Sequence, residues 1–279
     1  MSQPNKGVAV ITGASSGIGA VYADRLARRG HDLLLIARRQ DRLQQLAAEI
    51  SGRTGRKVEV LVADLGDRAD LARVERVLRD DERITTLVNN AGVASVAPIL
   101  NANVDEMSRM VALNVDAPMR LTHAVVPAFV RRGSGTIINM ASIVAVAPEL
   151  LNGVYGGSKA FVLAFSQVLR KELADKGVRV QVVLPGATAT DLWSNAGRPV
   201  EQLPREIVMS VDDLVDASLS GLDQGEFVTI PALPQFEHWK AFESARQALM
   251  PNLSRARPAD RYRTPGESET ETKTAPESP

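Results

Sequence analysis

Two side chains that could exchange a proton with a substrate, Tyr155 and Lys159, stand four residues apart in the run YGGSK. On a helix this spacing puts both side chains on one face, a turn apart. A free tyrosine has a pKa of about 10 and is a poor base at neutral pH, but a nearby ammonium favours the phenolate and lowers that pKa. The pair therefore predicts a tyrosine that acts as general acid or base.

A hydroxyl that could assist this tyrosine belongs to Ser142, 13 residues before Tyr155. Ser142 follows a predicted strand, and ligands of dinucleotide-binding folds lie at the carboxyl ends of the strands. Its hydroxyl could donate a hydrogen bond to a carbonyl or alkoxide oxygen. Spacing alone leaves an alternative open, because tyrosine and lysine at helical spacing also occur on solvated surfaces.

The elements that would position these side chains follow a regular rhythm of short apolar runs and longer helical patterns. This alternation is typical of βαβ units, whose parallel strands are covered by helices on both faces. The sequence therefore predicts an α/β fold, a Rossmann-like doubly wound parallel sheet of about seven strands. The predicted strands are Val8–Thr12, Asp32–Ala37, Val58–Ala63, Thr86–Asn89, Gly135–Met140, Val178–Leu184 and Phe227–Ile230. The predicted helices are Gly17–Arg29, Asp41–Arg53, Arg68–Asp81, Val104–Arg131, Tyr155–Lys176, Val211–Leu222 and Phe236–Leu249.

A glycine-rich loop, TGASSGIG from Thr12 to Gly19, joins the first predicted strand to the first predicted helix. Gly13 permits a tight turn, Gly17 lets the backbone approach a pyrophosphate, and Gly19 permits close packing of helix on strand. The helix N-terminus adds free N–H groups that attract an anion, and Ser15 and Ser16 add hydroxyl donors. The alternative is that these glycines only form a sharp turn between strand and helix.

The end of the second strand bears on which dinucleotide would bind. A free ribose 2′-hydroxyl is usually held by an acidic residue there, but this chain has Arg38 and Arg39 and no carboxylate. A guanidinium can form charge-assisted hydrogen bonds to a 2′-phosphate, which favours NADP(H) over NAD(H). Arg38 is the predicted ligand because it is nearest to the strand end, although both arginines could instead be solvated loop charges.

Composition sets the limits of the function. The formal net charge of zero argues against nucleic-acid and anionic-membrane binding, and the absence of cysteine excludes disulfides and thiolate nucleophiles. Three scattered histidines lack metal-ligand spacing, so no metal site is predicted. Because no signal-peptide pattern and no apolar stretch of about 18 residues occur, we expect a cytoplasmic protein.

Hydrophobic residues make up 44% of the 279 residues, enough for one large core. We predict a single domain over residues 1–250. Residues 251–279 are rich in Pro, Ser, Thr, Arg and Glu and almost free of aliphatic side chains, so we predict a disordered polar tail.

Taken together, these motifs resemble those of the short-chain dehydrogenase/reductase family in its single-domain form. The resemblance covers residues 7 to about 230 and includes the interval of 13 residues from Ser142 to Tyr155. The matching motifs are T-G-x-x-x-G-x-G at Thr12–Gly19, Asp64-Leu65, Asn89-Asn90-Ala91-Gly92, Asn114, Ser142, Tyr155–Lys159, and Pro185-Gly186 followed by Thr188 and Thr190.

The resemblance implies an oxidoreductase that moves hydride between a nicotinamide and a carbonyl or alcohol. It implies that Asn114, Ser142, Tyr155 and Lys159 are the catalytic residues, with Asn114 positioning a water next to Lys159. Lys159 would also hold the nicotinamide ribose, and Tyr155 would supply the proton. The implied cofactor contacts are Gly13, Ser15, Ser16, Gly17, Ile18, Gly19, Arg38, Asp64, Leu65, Asn90, Ala91, Gly92, Tyr155, Lys159, Pro185, Gly186, Thr188 and Thr190.

The family pattern also implies a homodimer or homotetramer formed through the helices at Val104–Arg131 and Ala160–Leu173. One departure is Ser16, because many NADP-using relatives carry a basic residue at that position. An alternative function is a non-catalytic protein that senses NADP(H) on the same fold. The expected substrate is a small carbonyl or alcohol compound, held by apolar segments at Ala94–Val96, Val144–Leu151 and Leu192-Trp193.

Overall fold

The computed structural model describes residues 5–262. This described part divides into two compact units, with the boundary between Ala232 and Leu233. The single domain predicted over 1–250 therefore stays a prediction, and most of the predicted tail lies outside the described residues. Within the described part, no helix combines the length and apolar character that crossing a membrane requires.

The first unit is built on a seven-stranded sheet in which all strand pairs are parallel. Its strand order is β3-β2-β1-β4-β5-β6-β7, so the order reverses between β1 and β4, where ligands bind in open α/β sheets. The predicted fold class is confirmed. The strands are β1 Val8–Thr12, β2 Asp32–Ala37, β3 Val58–Val62, β4 Ile84–Asn89, β5 Gly135–Met140, β6 Val178–Val183 and β7 Val228–Thr229.

Helices cover the sheet because its inner strands are apolar on both faces. One apolar cluster joins α3, α5 and α6 to one face, and a second cluster joins α1, α2 and α8 to the other. The helices of this unit are α1 Gly17–Arg28, α2 Gln40–Thr54, α3 Arg68–Asp80, α4 Val104–Val111, α5 Ala117–Arg132, α6 Gly153–Leu173, α7 Asp191–Asn195 and α8 Val211–Asp223. The second unit contains α9 Phe236–Ala248.

The long helix predicted at Val104–Arg131 is interrupted by a π-helical turn, Ala112–Asp116, between α4 and α5. Pro118 explains the interruption. Proline has no N–H to donate to the carbonyl of Asn114, four residues earlier, and its ring would clash with that carbonyl in a regular α-helix. A wider turn relieves the clash, and such turns frequently occur at functional sites.

Buried amides link the central strands to the helices above them. Asn89 on β4 donates to Asn139 on β5 at 2.9 Å and to Thr122 on α5 at 3.0 Å. Asn139 donates in turn to Ser166 on α6 at 2.9 Å. These bonds satisfy polar groups that burial would otherwise make costly, and they hold α5 and α6 in register with β4 and β5.

Gly19 packs closely against Gly13 and Asn90, so a substitution of Gly19 tests this packing. A Cβ atom built there would lie 2.5 Å from the carbonyl oxygen of Gly13 and 2.6 Å from Asn90 Nδ2. Gly19→Ala should therefore lower the free energy of unfolding by about 2 kcal/mol, since backbone must move to admit the methyl group.

Gly52, near the end of α2, is the matched control because a Cβ there meets nothing within 4 Å. Gly52→Ala should raise the free energy of unfolding by up to about 1 kcal/mol through helix propensity. Urea unfolding of both variants measures these changes. A Gly19→Ala protein as stable as the wild type would contradict this packing argument.

Candidate active site

Two adjoining cavities run along the carboxyl ends of the strands, with volumes of about 760 Å³ and about 430 Å³. They share several lining residues, so they form one continuous cleft. Of the site residues predicted from the sequence, all but Gly19 and Asn114 line at least one cavity. The shared lining residues are Ile18, Asn90, Gly92, Val93, Ala94, Thr190 and Leu192.

The glycine-rich loop borders the smaller cavity in the conformation that its glycines allow. Gly13 and Gly17 have φ angles of 66° and 56°, in the left-handed region that favours glycine. Helix α1 begins at Gly17, and its N-cap Ser16 makes no side-chain capping bond. The first N–H groups of α1 are therefore available to an anion at this end of the cavity.

Thr12 ties the loop to the strand next to it. Its hydroxyl accepts hydrogen bonds from the backbone N–H groups of Asn90 and Ala91 at 2.9 Å and 3.0 Å, and donates to the carbonyl of Val88. The amide of Asn90 also donates to the carbonyl of Thr12 at 2.9 Å. Asn90 and Ala91 thus form the joint between β1 and β4 on which the loop rests.

The two arginines after β2 take different positions at the smaller cavity. Arg39 Nη2 donates to the hydroxyls of Ser16 at 2.7 Å and Ser15 at 3.2 Å. Arg38 is mostly exposed and lies 3.7 Å from the carboxylate of Asp64. The sequence predicts Arg38 as the ligand of a 2′-phosphate because Arg38 is nearest to the strand end. In the structure it is Arg39 that is hydrogen-bonded to the glycine-rich loop.

Asp64 and Leu65 line the other side of the same cavity. The backbone N–H of Asp64 donates to Asp70 Oδ2 at 2.8 Å, and its own Oδ1 accepts from the N–H of Gly66 at 2.9 Å. In this turn after β3, the second carboxylate oxygen of Asp64, Oδ2, lies 3.7 Å from Arg38 Nη1.

Tyr155 and Lys159 lie one turn apart on α6, and both are buried. Lys159 Nζ donates to the carbonyl of Met140, the last residue of β5, at 2.9 Å. Gly156 permits this position of α6, because a Cβ there would lie 2.9 Å from the side chain of Pro148. Ser142 follows β5, and its hydroxyl donates to the carbonyl of Pro185 and accepts from the N–H of Val144, both at 3.4 Å, while it lines the same cavity as Tyr155.

The pKa of Tyr155 differs from the sequence prediction. Burial raises the pKa of Tyr155, and the neighbouring Ser142 hydroxyl opposes this only in part. Burial also lowers the pKa of Lys159 to about 8. The predicted lowering of the Tyr155 pKa is therefore wrong for this structure, because burial removes the solvent that would stabilise a phenolate. Tyr155 carries its proton at neutral pH.

Asn114 lies in the π-helical turn and contacts the cleft through its neighbours. Its amide oxygen accepts from the N–H of Val93 at 3.0 Å, and its Nδ2 donates to the carbonyl of Val93 at 2.9 Å and to Ser158 Oγ at 3.1 Å. These bonds join the π-helical turn to the loop at Val93 and to Ser158 on α6.

The segment after β6 contains four of the cofactor contacts predicted from the sequence. Pro185, Gly186, Thr188 and Thr190 all line the larger cavity. The segment is held in place by Met209, whose N–H donates to the carbonyl of Ala187 at 2.9 Å and whose carbonyl accepts from Ala189 at 3.0 Å.

The larger cavity is mostly apolar apart from the hydroxyls of Ser142 and Tyr155 and a few charged side chains, among them Arg198 and Glu206. All three segments predicted to line the substrate pocket contribute to it, together with residues between 196 and 209 that the sequence analysis did not assign. The apolar side chains on its walls include Val93, Val96, Val144, Leu150, Leu151, Leu192, Trp193, Leu203, Ile207 and Val208.

Two residues that were not predicted from the sequence hold the start of α6. Asn152 is the N-cap of α6 and accepts from the N–H groups of Val154 and Tyr155 at 2.9 Å and 3.3 Å. Ser158 donates to the carbonyl of Tyr155 at 2.8 Å while it accepts from Asn114. An asparagine three residues before the tyrosine was a capping signal, but the helix had been predicted to begin at Tyr155 itself.

Comparison with known proteins agrees with this architecture. The family model of the short chain dehydrogenases matches residues 7–200. The chain therefore belongs to the short-chain dehydrogenase family, a family of oxidoreductases. Among curated proteins, it is 37% identical over 188 residues to the very-long-chain 3-oxoacyl-CoA reductase of Anas platyrhynchos, a match that covers 66% of this chain and 60% of that protein.

Two solved structures are similar over nearly their whole length. A short-chain dehydrogenase from Sphingobium yanoikuyae in complex with NADPH is 50% identical, with a TM-score of 0.90 over 94% of this chain and 100% of that chain. A bulky-bulky ketone specific alcohol dehydrogenase from Comamonas testosteroni is 45% identical, with a TM-score of 0.85 over 92% of this chain and 99% of that chain.

The lowered pKa of Lys159 predicts that its charge costs stability. Below about pH 8 the folded protein holds a buried ammonium, whereas an unfolded lysine stays charged up to about pH 10.5. Lys159→Met should therefore raise the free energy of unfolding at pH 7 by about 2 kcal/mol, after allowing for the lost hydrogen bond to Met140.

This gain should shrink as the pH rises from about 8 to about 10.5, because wild-type Lys159 then loses its proton more readily folded than unfolded. Urea unfolding of both proteins at pH 7 and at about pH 10 measures the difference. A variant less stable than the wild type at pH 7, or a difference independent of pH, would show that burial does not penalise this charge.

Proposed function

We propose that this protein is an NADPH-dependent reductase of ketones that carry large apolar groups, with Tyr155 as the proton donor. The observation that carries the proposal is the pair of hydroxyls, those of Ser142 and Tyr155, at the wall of one largely apolar cavity of about 760 Å³. Such a cavity exceeds the room that a short aldehyde needs and is within the range of drug-sized ligand sites.

The descriptions of two similar structures support both the proposed cofactor and the proposed class of substrate. The Sphingobium yanoikuyae protein is described as a complex with NADPH, and the Comamonas testosteroni enzyme as specific for bulky-bulky ketones. The aliphatic walls of the larger cavity are consistent with a ketone flanked by apolar groups on both sides.

The smaller cavity supports the choice of cofactor. The α1 N-terminus and the glycine-rich loop offer N–H groups to a pyrophosphate, and Asp64, which lines the same cavity, offers a carboxylate to an adenine amino group. Arg38 and Arg39 add two guanidinium groups to the same cavity, where a 2′-phosphate would meet them. The residues present therefore fit NADP(H).

In the proposed reaction NADPH, when bound, supplies a hydride to the carbonyl carbon. Ser142 donates a hydrogen bond to the carbonyl oxygen and orients it towards Tyr155. Tyr155 then gives its phenolic proton to the oxygen as negative charge develops there. The raised pKa of Tyr155 suits this direction, because the phenol is protonated at neutral pH. Lys159, beside Tyr155, stabilises the phenolate left behind.

We also propose a cytoplasmic homodimer or homotetramer. Apolar side chains on the outer faces of α4, α5 and α6 are exposed and support such a contact between copies. They are Val104, Val111, Met119 and Val168.

Tyr155→Phe tests the proton donor. The variant should bind NADPH about as tightly as the wild type but lose turnover of a diaryl ketone by at least about 10³-fold, since the ring stays and only the acid is lost. Tyr22→Phe is the matched control, because Tyr22 is also buried but is hydrogen-bonded to Ser218 and lies outside the cleft. It should keep its turnover.

NADPH oxidation with a panel of diaryl ketones, methyl ketones and aldehydes measures these rates. Turnover close to wild type in Tyr155→Phe would refute the role of Tyr155. Saturable NADPH binding by the wild type without turnover on any carbonyl would instead favour the alternative of a cofactor sensor.

Arg39→Ala tests the preference for NADPH. It should lower kcat/KM with NADPH by about 10-fold to 100-fold, the cost of losing a charge-assisted hydrogen bond, and leave the value with NADH nearly unchanged. Arg38→Ala should have a smaller effect, since Arg38 makes no contact with the glycine-rich loop. A wild type that prefers NADH, or equal losses with both cofactors, would contradict the assignment.

A further inference from the structure

One wall of the larger cavity is a segment, Val93–Ala97, that belongs to no helix or strand. Three of its residues, Val93, Ala94 and Val96, line the cavity. A segment without a backbone ladder of its own opens locally at low cost, unless side chains hold it in place. The position of this wall relative to Tyr155 therefore depends on what holds the two ends of the segment.

Buried asparagines hold both ends. At the first end, Asn114 bonds the N–H and the carbonyl of Val93 at 3.0 Å and 2.9 Å. At the second end, Asn152 Nδ2 donates to the carbonyl of Ala97 at 2.6 Å. Asn152 is only 4% exposed, so water has little access to replace this bond.

Each of these asparagines is also bonded to the catalytic helix. Asn152 Oδ1 accepts from the backbone N–H of Tyr155 at 3.3 Å. Asn114 Nδ2 donates to Ser158, whose hydroxyl donates to the backbone carbonyl of Tyr155 at 2.8 Å. The cavity wall is thus connected to the N–H and the carbonyl of the residue that would donate the proton.

We propose that Asn152 is a positioning residue that determines selectivity for bulky substrates, because it fixes the wall Val93–Ala97 relative to Tyr155. The inference rests on the proposed ketone reduction. A ketone with two large groups contacts this wall, so the wall sets the distance from its carbonyl oxygen to the phenol. A methyl ketone contacts less of the wall and depends less on it.

Asn152→Ser isolates this role. Serine is as good an N-cap as asparagine, so the start of α6 keeps its capping acceptor, but serine has no amide to reach the carbonyl of Ala97. Asn103→Ser is the matched control. Asn103 caps α4 in the same way, accepting from Asp105 and Glu106 at 2.9 Å and 3.1 Å, but it is exposed and lines neither cavity.

The test compares kcat/KM for a diaryl ketone and for a methyl ketone in the wild type and both variants, with NADPH saturating. In Asn152→Ser the ratio of the two values should fall about tenfold, the scale of one lost buried hydrogen bond. The dissociation constant of NADPH should change less than twofold, and Asn103→Ser should match the wild type.

Hydrogen exchange provides a readout that does not need turnover. Amides in Val93–Ala97 should exchange faster in Asn152→Ser than in Asn103→Ser, with the sheet equally protected in both. An unchanged substrate ratio together with unchanged exchange would overturn the inference about Asn152. A wild type that reduces no ketone would instead refute the proposed function. In that case, exchange of Val93–Ala97 that is no faster in Asn152→Ser than in Asn103→Ser would still refute the positioning role.

Discussion

The hydrogen bond from the buried ammonium of Lys159 to the carbonyl of Met140 is the interaction on which the arrangement of the cleft depends. It joins α6 to the last residue of β5, so it sets the distance between Tyr155, one turn earlier on α6, and Ser142, two residues beyond β5. Parallel strands end at one edge of the sheet with carbonyls that need donors, and a buried lysine supplies one. The cost is a buried cation with a lowered pKa.

Hydrogen bonds of buried side-chain amides position the other parts of the cleft. Asn89 and Asn139 join the two central strands to α5 and α6, while Asn114 and Asn152 join the cavity wall Val93–Ala97 to α6. Side-chain amides suit this task because each carries both donors and an acceptor and titrates at no accessible pH. The rest of the larger cavity can then be aliphatic, and a few polar groups orient whatever enters it.

Arg38 and Arg39 make different contacts. The direction in which a side chain points, as well as its position in the chain, therefore decides what it contacts. Both follow β2, but Arg39 begins α2 as its N-cap and its side chain turns back to Ser15 and Ser16. Arg38 extends across the cavity towards Asp64. Adjacent residues at a strand end point to different sides, so order along the chain could not decide which guanidinium approaches the glycine-rich loop.

The sequence by itself determined the parallel α/β sheet, the glycine-rich loop and the shared face of Tyr155 and Lys159 on α6, because apolar periodicity, left-handed glycines and a spacing of four residues are local properties of the chain. The tertiary structure decided three further points: the raised pKa of Tyr155, the π-helical turn around Asn114, and the bond from Asn152 to Ala97. The pKa depends on the solvent that neighbouring elements exclude, and the bond from Asn152 joins residues 55 positions apart. Pro118 is a local cue that a helix could be interrupted here, but only the tertiary structure shows the π-helical turn and brings its Asn114 into contact with Val93 and Ser158.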